Sequence, residues 1–140
     1  MDTGGSHPDP ILLRRFEIFE SLGFADLKEL SRIIATDDVE EGHVLNAEGD
    51  AGARFFVIVE GEAEVLKDGE VVRRLGPGEH FGEIALLAEG PRTASVVAAT
   101  PMKLLVMFGT SFRLLEERFP AVAMAIYAGA ASRMDDDDAR

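Results

Sequence analysis

Hydrophobic and polar positions change rhythm along this chain, and the changes divide it. Residues 1–9, rich in Gly, Pro and Asp, show no apolar period and read as a loose leader. Ile11, Leu12, Phe16, Phe19 and Leu22 then recur at gaps that suit one helical face, and Gly23 is a fitting stop. A second helical pattern covers Asp26 to Ile34, with Leu27, Leu30, Ile33 and Ile34 facing inward. From Asp38 to Phe108 the period shortens. β-Branched and aromatic runs at Phe55–Val59, Ala63–Leu66, Val71–Leu75, Ala94–Ala98 and Lys103–Phe108 are separated by Gly, Pro and Asp. Such spacing predicts an antiparallel sandwich or barrel. Lys67-Asp68-Gly69-Glu70 predicts a tight hairpin, because Asp-Gly accepts the positive φ values of a two-residue turn. Gly76-Pro77-Gly78 predicts a second break.

After Gly109 the helical period returns. Phe112, Leu115 and Phe119 share a face, Pro120 interrupts, and an alanine-rich helix is expected over Ala121 to Met134. Asp135 to Asp138 is a like-charge run that belongs in solvent. Helices, then strands, then helices make an α+β chain.

Composition narrows the function. The chain has 140 residues, the size of one domain, and 46% of them are hydrophobic, enough for a core. It has no cysteine, which removes disulfides, thiol catalysis and thiolate metal sites. No run of about 18 apolar residues is present, so no transmembrane helix is expected. The first residues lack the basic and apolar regions of a secretory signal, and a cytoplasmic location is expected. Twenty-six acids against 14 bases leave a net charge of −12. That balance opposes a nucleic-acid groove and docking on anionic lipid. It does not oppose one arginine holding one phosphate, because that attraction is local.

The chemistry concentrates in Phe81 to Val96, FGEIALLAEGPRTASV. Gly82 lets backbone approach a ligand closely. The turn from Glu83 to Leu87 offers free N–H groups at a helix start, which favour a phosphate. Arg92 can neutralise that phosphate through two parallel hydrogen bonds, and Glu83 can accept from a sugar hydroxyl. Ile84 and Ala85 contribute backbone and small bulk. The plainer alternatives are a surface arginine paired to an acid and a capping glutamate, the latter worth about 0.3–1 kcal/mol.

This stretch closely resembles the phosphate-binding cassette of cyclic nucleotide-binding domains, of the catabolite activator and protein kinase A regulatory subunit type. LGPGEHFGE and FFVIVEGEAEV resemble the same family's strand-and-turn signatures, and the likeness runs from about Phe16 to Phe119. It implies an antiparallel β-roll or jelly-roll barrel with N-terminal helices, an inserted cassette helix and C-terminal helices. It implies a domain over residues 10–134 between the leader and an acidic tail at 135–140. It assigns the cyclic phosphate to Arg92 and the ribose 2′-hydroxyl to Glu83, with Gly82, Ile84, Ala85 and Ala94 around them. Thr93 bears on the base, since its hydroxyl can reach a guanine amino group. Val65 is expected to touch the base or simply pack in the core. Tyr127, Met124, Met134 and Arg133 are lid candidates, with helix packing the favoured role of the first three. His80, unusual before Phe81, is expected to face out or trim the pocket edge.

The resemblance implies a regulatory module that senses cAMP or cGMP, with a lean to cAMP, and moves its flanking helices on binding. Pro120 is the expected hinge. No catalytic or metal-ligating set is expected, because the three histidines are scattered. The partners implied are a cyclic nucleotide and a separate effector protein or further effector domain, with neither nucleic acid nor membrane. The alternative is an interaction domain that keeps the fold without the ligand.

Overall fold

The computed structural model describes residues 7–46, 54–82 and 95–128. The N-terminal pattern folds as short pieces. Helix α1 (Pro10–Leu13) starts on Asp9, whose side chain accepts from the Ile11 N–H at 2.9 Å, and has proline in its first turn. A 3-10 turn follows at Glu17–Phe19. The helix expected over residues 11–22 is therefore interrupted. The buried residues Leu13, Phe16 and Phe19 recur every third position, which suits three residues per turn, while Ile11 is 61% exposed. Helix α2 (Phe24–Leu30) buries Leu27 and Leu30, as their spacing predicts, but it ends before Ile33 and Ile34, where the expected helix closed, and of these two Ile34 is buried and Ile33 partly so. His7 also joins this layer, its Nδ1 lying 2.8 Å from the Ile34 carbonyl oxygen.

The strands are β1 (Ala35–Val39), β2 (Val44–Asn46), β3 (Arg54–Glu60), β4 (Ala63–Lys67), β5 (Glu70–Leu75), β6 (His80–Phe81), β7 (Ser95–Ala98) and β8 (Met102–Phe108). They form two four-stranded antiparallel sheets, ordered β1-β8-β3-β6 and β2-β7-β4-β5. The expected antiparallel roll is thus present as two facing sheets and not as a closed barrel. The β4–β5 hairpin turns through Asp68 (φ 55°) and Gly69 (φ 82°), with Lys67 opposite Glu70. Strand β1 carries Asp37 and Asp38, residues depleted in strands, and so escapes a propensity reading. It is an edge strand, and both aspartates are exposed along it, where charge discourages further pairing.

Two cores follow from the alternation along β3 and β8. Phe55, Val57 and Val59 on β3, with Leu105 and Met107 on β8, face the helices and pack with Leu13, Phe19, Leu27 and Phe112. Phe56 and Ile58, with Leu104 and Val106, face the second sheet and meet Ala63, Leu75, Val96 and Ala98. A strand buried on both faces reads as a continuous apolar run, which is why RFFVIVE and MKLLVMF show no alternation.

Helix α3 (Gly109–Arg118) buries Phe112 and Leu115. Phe119 leaves helical geometry at φ −134°, ψ 63°, and helix α4 runs from Pro120 over residues 120–128. The break expected at Pro120 is there. Arg118, at the end of α3, forms an ion pair with Glu29 of α2, so the helical layers before and after the sheets are joined.

Candidate functional site

The two ends of the candidate segment are held by strands of different sheets. At its start, β6 pairs with β3 in the register Phe56 opposite Phe81 and Val57 opposite His80. Phe81 points between the sheets and stacks on Phe56, with ring centroids 4.9 Å apart and 21° between planes. Gly82 follows with φ 96°, and a Cβ there would fall 2.2 Å from the Arg54 carbonyl oxygen. Only glycine lets the chain lie this close to β3 while turning in the left-handed region. At the segment's end, β7 begins at Ser95 and pairs with β4, placing Ser95 opposite Leu66 and Val96 opposite Val65.

Of the site residues read from the sequence, Gly82 and Val65 lie among the described residues. Both border the inter-sheet core. Gly82 is itself buried and directly follows Phe81, while Val65, partly buried, packs against the cluster that contains Phe81 and Val96. Glu83, Ile84, Ala85, Arg92, Thr93 and Ala94 lie outside the described residues, as does the expected cassette helix.

The structure adds two residues near the segment, the first of which escaped the sequence reading. Arg54 opens β3, where its guanidinium lies 5.5 Å from the Phe56 ring centroid and donates to the Leu45 carbonyl at 3.1 Å. With Asp37, Phe56 and Phe108 it borders a hollow of about 140 Å3. The available signal was an arginine at the head of an apolar run. His80 is the other, and of the two places expected for it, facing out or trimming the pocket edge, its burial overturns the first. It is 7% exposed and lies against Phe55 at 5.5 Å, on the helix side of the sheet. Its alternation with Phe81 carried that information, because neighbours on a strand point to opposite faces.

The lid candidates also find places. The Tyr127 ring packs 6.0 Å from Phe112, and its hydroxyl donates to the Glu116 carboxylate, so it takes the helix-packing role. Met124 is 66% exposed, and Arg133 and Met134 lie outside the described residues. On the outer face of the second sheet, Arg74 donates to Glu64 at 2.8 Å and Glu62 at 2.9 Å. The hydrogen bond and charge of Glu64, with the charge of Glu62 added, hold this guanidinium above its ordinary pKa against the opposing effect of desolvation. Among the described residues, no three His, Asp or Glu side chains are grouped so that they could hold a metal ion. No described helix is long and apolar enough to cross a membrane.

An open roll of two antiparallel sheets, flanked by helices and carrying the glycine-glutamate and arginine segment between β6 and β7, defines a class. The family described as cyclic nucleotide-binding domain matches residues 36–118, and the chain belongs to it. It is 36% identical over 122 residues to a cyclic nucleotide-gated potassium channel of Rhizobium etli, a match covering 87% of this chain and 34% of the channel. It is 38% identical over 105 residues to a cAMP-dependent protein kinase regulatory subunit of Yarrowia lipolytica, covering 74% of this chain and 28% of that one. The chain therefore spans about a third of the length of these curated relatives. Among solved structures, the catabolite activator protein of Thermus thermophilus superposes with a TM-score of 0.76 at 29% identity, covering 86% of this chain and 59% of that one.

Proposed function

We propose that this domain is a regulatory sensor that binds a purine cyclic nucleotide, cAMP ahead of cGMP, and acts through its helices and not as an enzyme. Arg92 holds the cyclic phosphate and Glu83 the ribose 2′-hydroxyl. Gly82, Ile84, Ala85, Thr93 and Ala94 shape the cradle, and Val65 supplies apolar contact to the base. The observation that carries the reading is the attachment of the segment's start. Gly82 is pressed onto β3 where a Cβ would meet the Arg54 carbonyl oxygen at 2.2 Å, and it leads directly into Glu83. A family whose relatives are named for cyclic nucleotides or cAMP supports the ligand class.

The response is a rearrangement of α3 and α4 about Phe119-Pro120, transmitted to an effector elsewhere in a longer chain or on a separate cytoplasmic protein. Such a shift requires a ligand that binds the two arrangements with different affinity. Nucleic acid and membrane are not partners in this reading.

Calorimetric titration with cAMP and cGMP, with Arg92→Ala as control, tests it. Saturable binding is expected, weakened at least about 10-fold in the variant by loss of charge-assisted bonds. A 2′-deoxy analogue is expected to bind more weakly, since it leaves the Glu83 acceptor unpaired. A folded protein that binds neither nucleotide would overturn the reading and leave an interaction domain that keeps only the fold.

A further inference from the structure

The helix side of the first sheet carries a row of rings that runs from β6 across β3 and α3 to α4. His80 lies on β6, immediately before the candidate segment, and its ring is 5.5 Å from Phe55 on β3. Phe55 is 5.8 Å from Phe112 on α3. Phe112 is 6.0 Å from Tyr127 on α4. All three separations lie in the range in which aromatic rings attract one another directionally. His80, Phe55 and Phe112 are buried, and Tyr127 is partly buried.

The row starts where the segment is anchored and ends beyond the helix break. Phe55 is its node. The backbone of Phe55 lies against Gly82, whose added Cβ would come within 3.3 Å of the Phe55 Cα. A displacement of the chain at Gly82 therefore bears on the strand that carries Phe55, and through His80 on the Phe55 ring itself. At the far end Phe112 and Tyr127 sit on opposite sides of the Phe119 break, one on each helix that it joins. The Tyr127 hydroxyl donates to Glu116 of α3 as well, so this end of the row also fixes how α4 rests on α3. Close-packed side chains pass on displacement because they have few voids to absorb it.

We propose that His80, Phe55, Phe112 and Tyr127 are positioning residues that couple the β6–Gly82 anchor to the orientation of α4. The direction of signalling rests on the ligand reading above, whereas the mechanical coupling does not. Coupling between separated sites must be demonstrated and not read from adjacency. The four residues accordingly make a quantitative claim, which is that changes at the two ends of the row do not add.

Hydrogen exchange of the backbone amides in residues 121–128 measures it in the full chain without any ligand. Four proteins are compared: wild type, His80→Leu, Tyr127→Leu and the double variant, each with its denaturant unfolding midpoint. Each single change is expected to speed exchange in α4 by about 2- to 30-fold, with α4 affected more than β3 and β8. The double variant is expected to exchange no faster than the faster single. Tyr127→Phe, which keeps the ring and loses the bond to Glu116, is expected to speed exchange less than Tyr127→Leu. If His80→Leu does not fold, His80→Gln keeps a polar end and removes the ring. Additive effects, or equal changes in α4 and the strands, would overturn the coupling and leave the row as ordinary core. Calorimetry on the same wild-type sample separates the two claims. Non-additive exchange without nucleotide binding sustains the coupling and removes the ligand, and binding with additive exchange does the reverse.

Discussion

The two sheets share strand number and antiparallel pairing but differ in burial. In the first, β3 has five consecutive buried residues and separates two cores. In the second, β4 and β5 turn Ala63 and Leu75 inward, while Glu64 and Arg74 meet on the outer face. One sheet is a partition between helices and the inter-sheet space, and the other is a cover with a wet face. The difference teaches where a change near the candidate segment can be felt. A partition touches both neighbours, so displacement on one side reaches the other, whereas the outer face of a cover passes it to water.

The largest effect that would break this comparison lies in the partition. Phe55→Ala removes a fully buried ring that meets His80 and Phe112, and it should destabilise the chain by about 3–5 kcal/mol in denaturant unfolding. Val65→Ala on the cover, at a partly buried position, should cost clearly less. Equal losses would show that the sheets are not distinguished by burial.

Glycines sharpen the contrast next. Gly82→Ala combines a left-handed φ with a Cβ 2.2 Å from backbone, and should destabilise by about 2–5 kcal/mol. Gly69→Ala, in the β4–β5 turn with a comparable φ but nothing within 4 Å, should cost about 1–2 kcal/mol. Thermal unfolding of both variants checks the order, and a reversal would mean that Gly82 is not pressed against β3.

The ion pair of Arg118 with Glu29 should matter less, because both side chains are partly exposed to water. Arg118→Gln is expected to cost about 0.2–1 kcal/mol, an amount that shrinks in high salt. A larger and salt-independent loss would assign the tie between helical layers to packing instead. Smallest of all is Arg74→Ala on the wet face of the cover, which should leave the unfolding midpoint within error despite two well-formed bonds.

Much of this was legible before any coordinates. The runs at Phe55–Val59 and Lys103–Phe108 became β3 and β8 because full burial leaves a continuous apolar signature. Asp68-Gly69 became the hairpin turn because few other residues tolerate its φ values. Pro120 marked the helix break because proline supplies no N–H to continue a helix from α3. Other features were not legible. Strand β1 was missed because its aspartates oppose strand propensity and are tolerated only along an exposed edge. The helix expected over residues 11–22 split because tertiary burial selected Leu13, Phe16 and Phe19, every third position, over the longer helical stripe. Of the candidate site residues, Gly82 and Val65, chosen through turn chemistry and family likeness, are found beside the inter-sheet core. The sequence left His80 either facing out or at the pocket edge, and burial removes the first, because an imidazole in an apolar strand reads equally as surface or core until its neighbours are known.

Local chemistry, written in the order of residues, settled the antiparallel strands, the turns and the helix break. Each depends on a backbone preference or a functional group that a residue carries wherever it lies. Tertiary structure alone decided that Gly82 touches β3, that His80 and Phe81 belong to different cores, and that a row of rings runs from β6 to α4. Those facts depend on which distant segments meet, and that is decided when strands pair across the sheet and helices close over one of its faces.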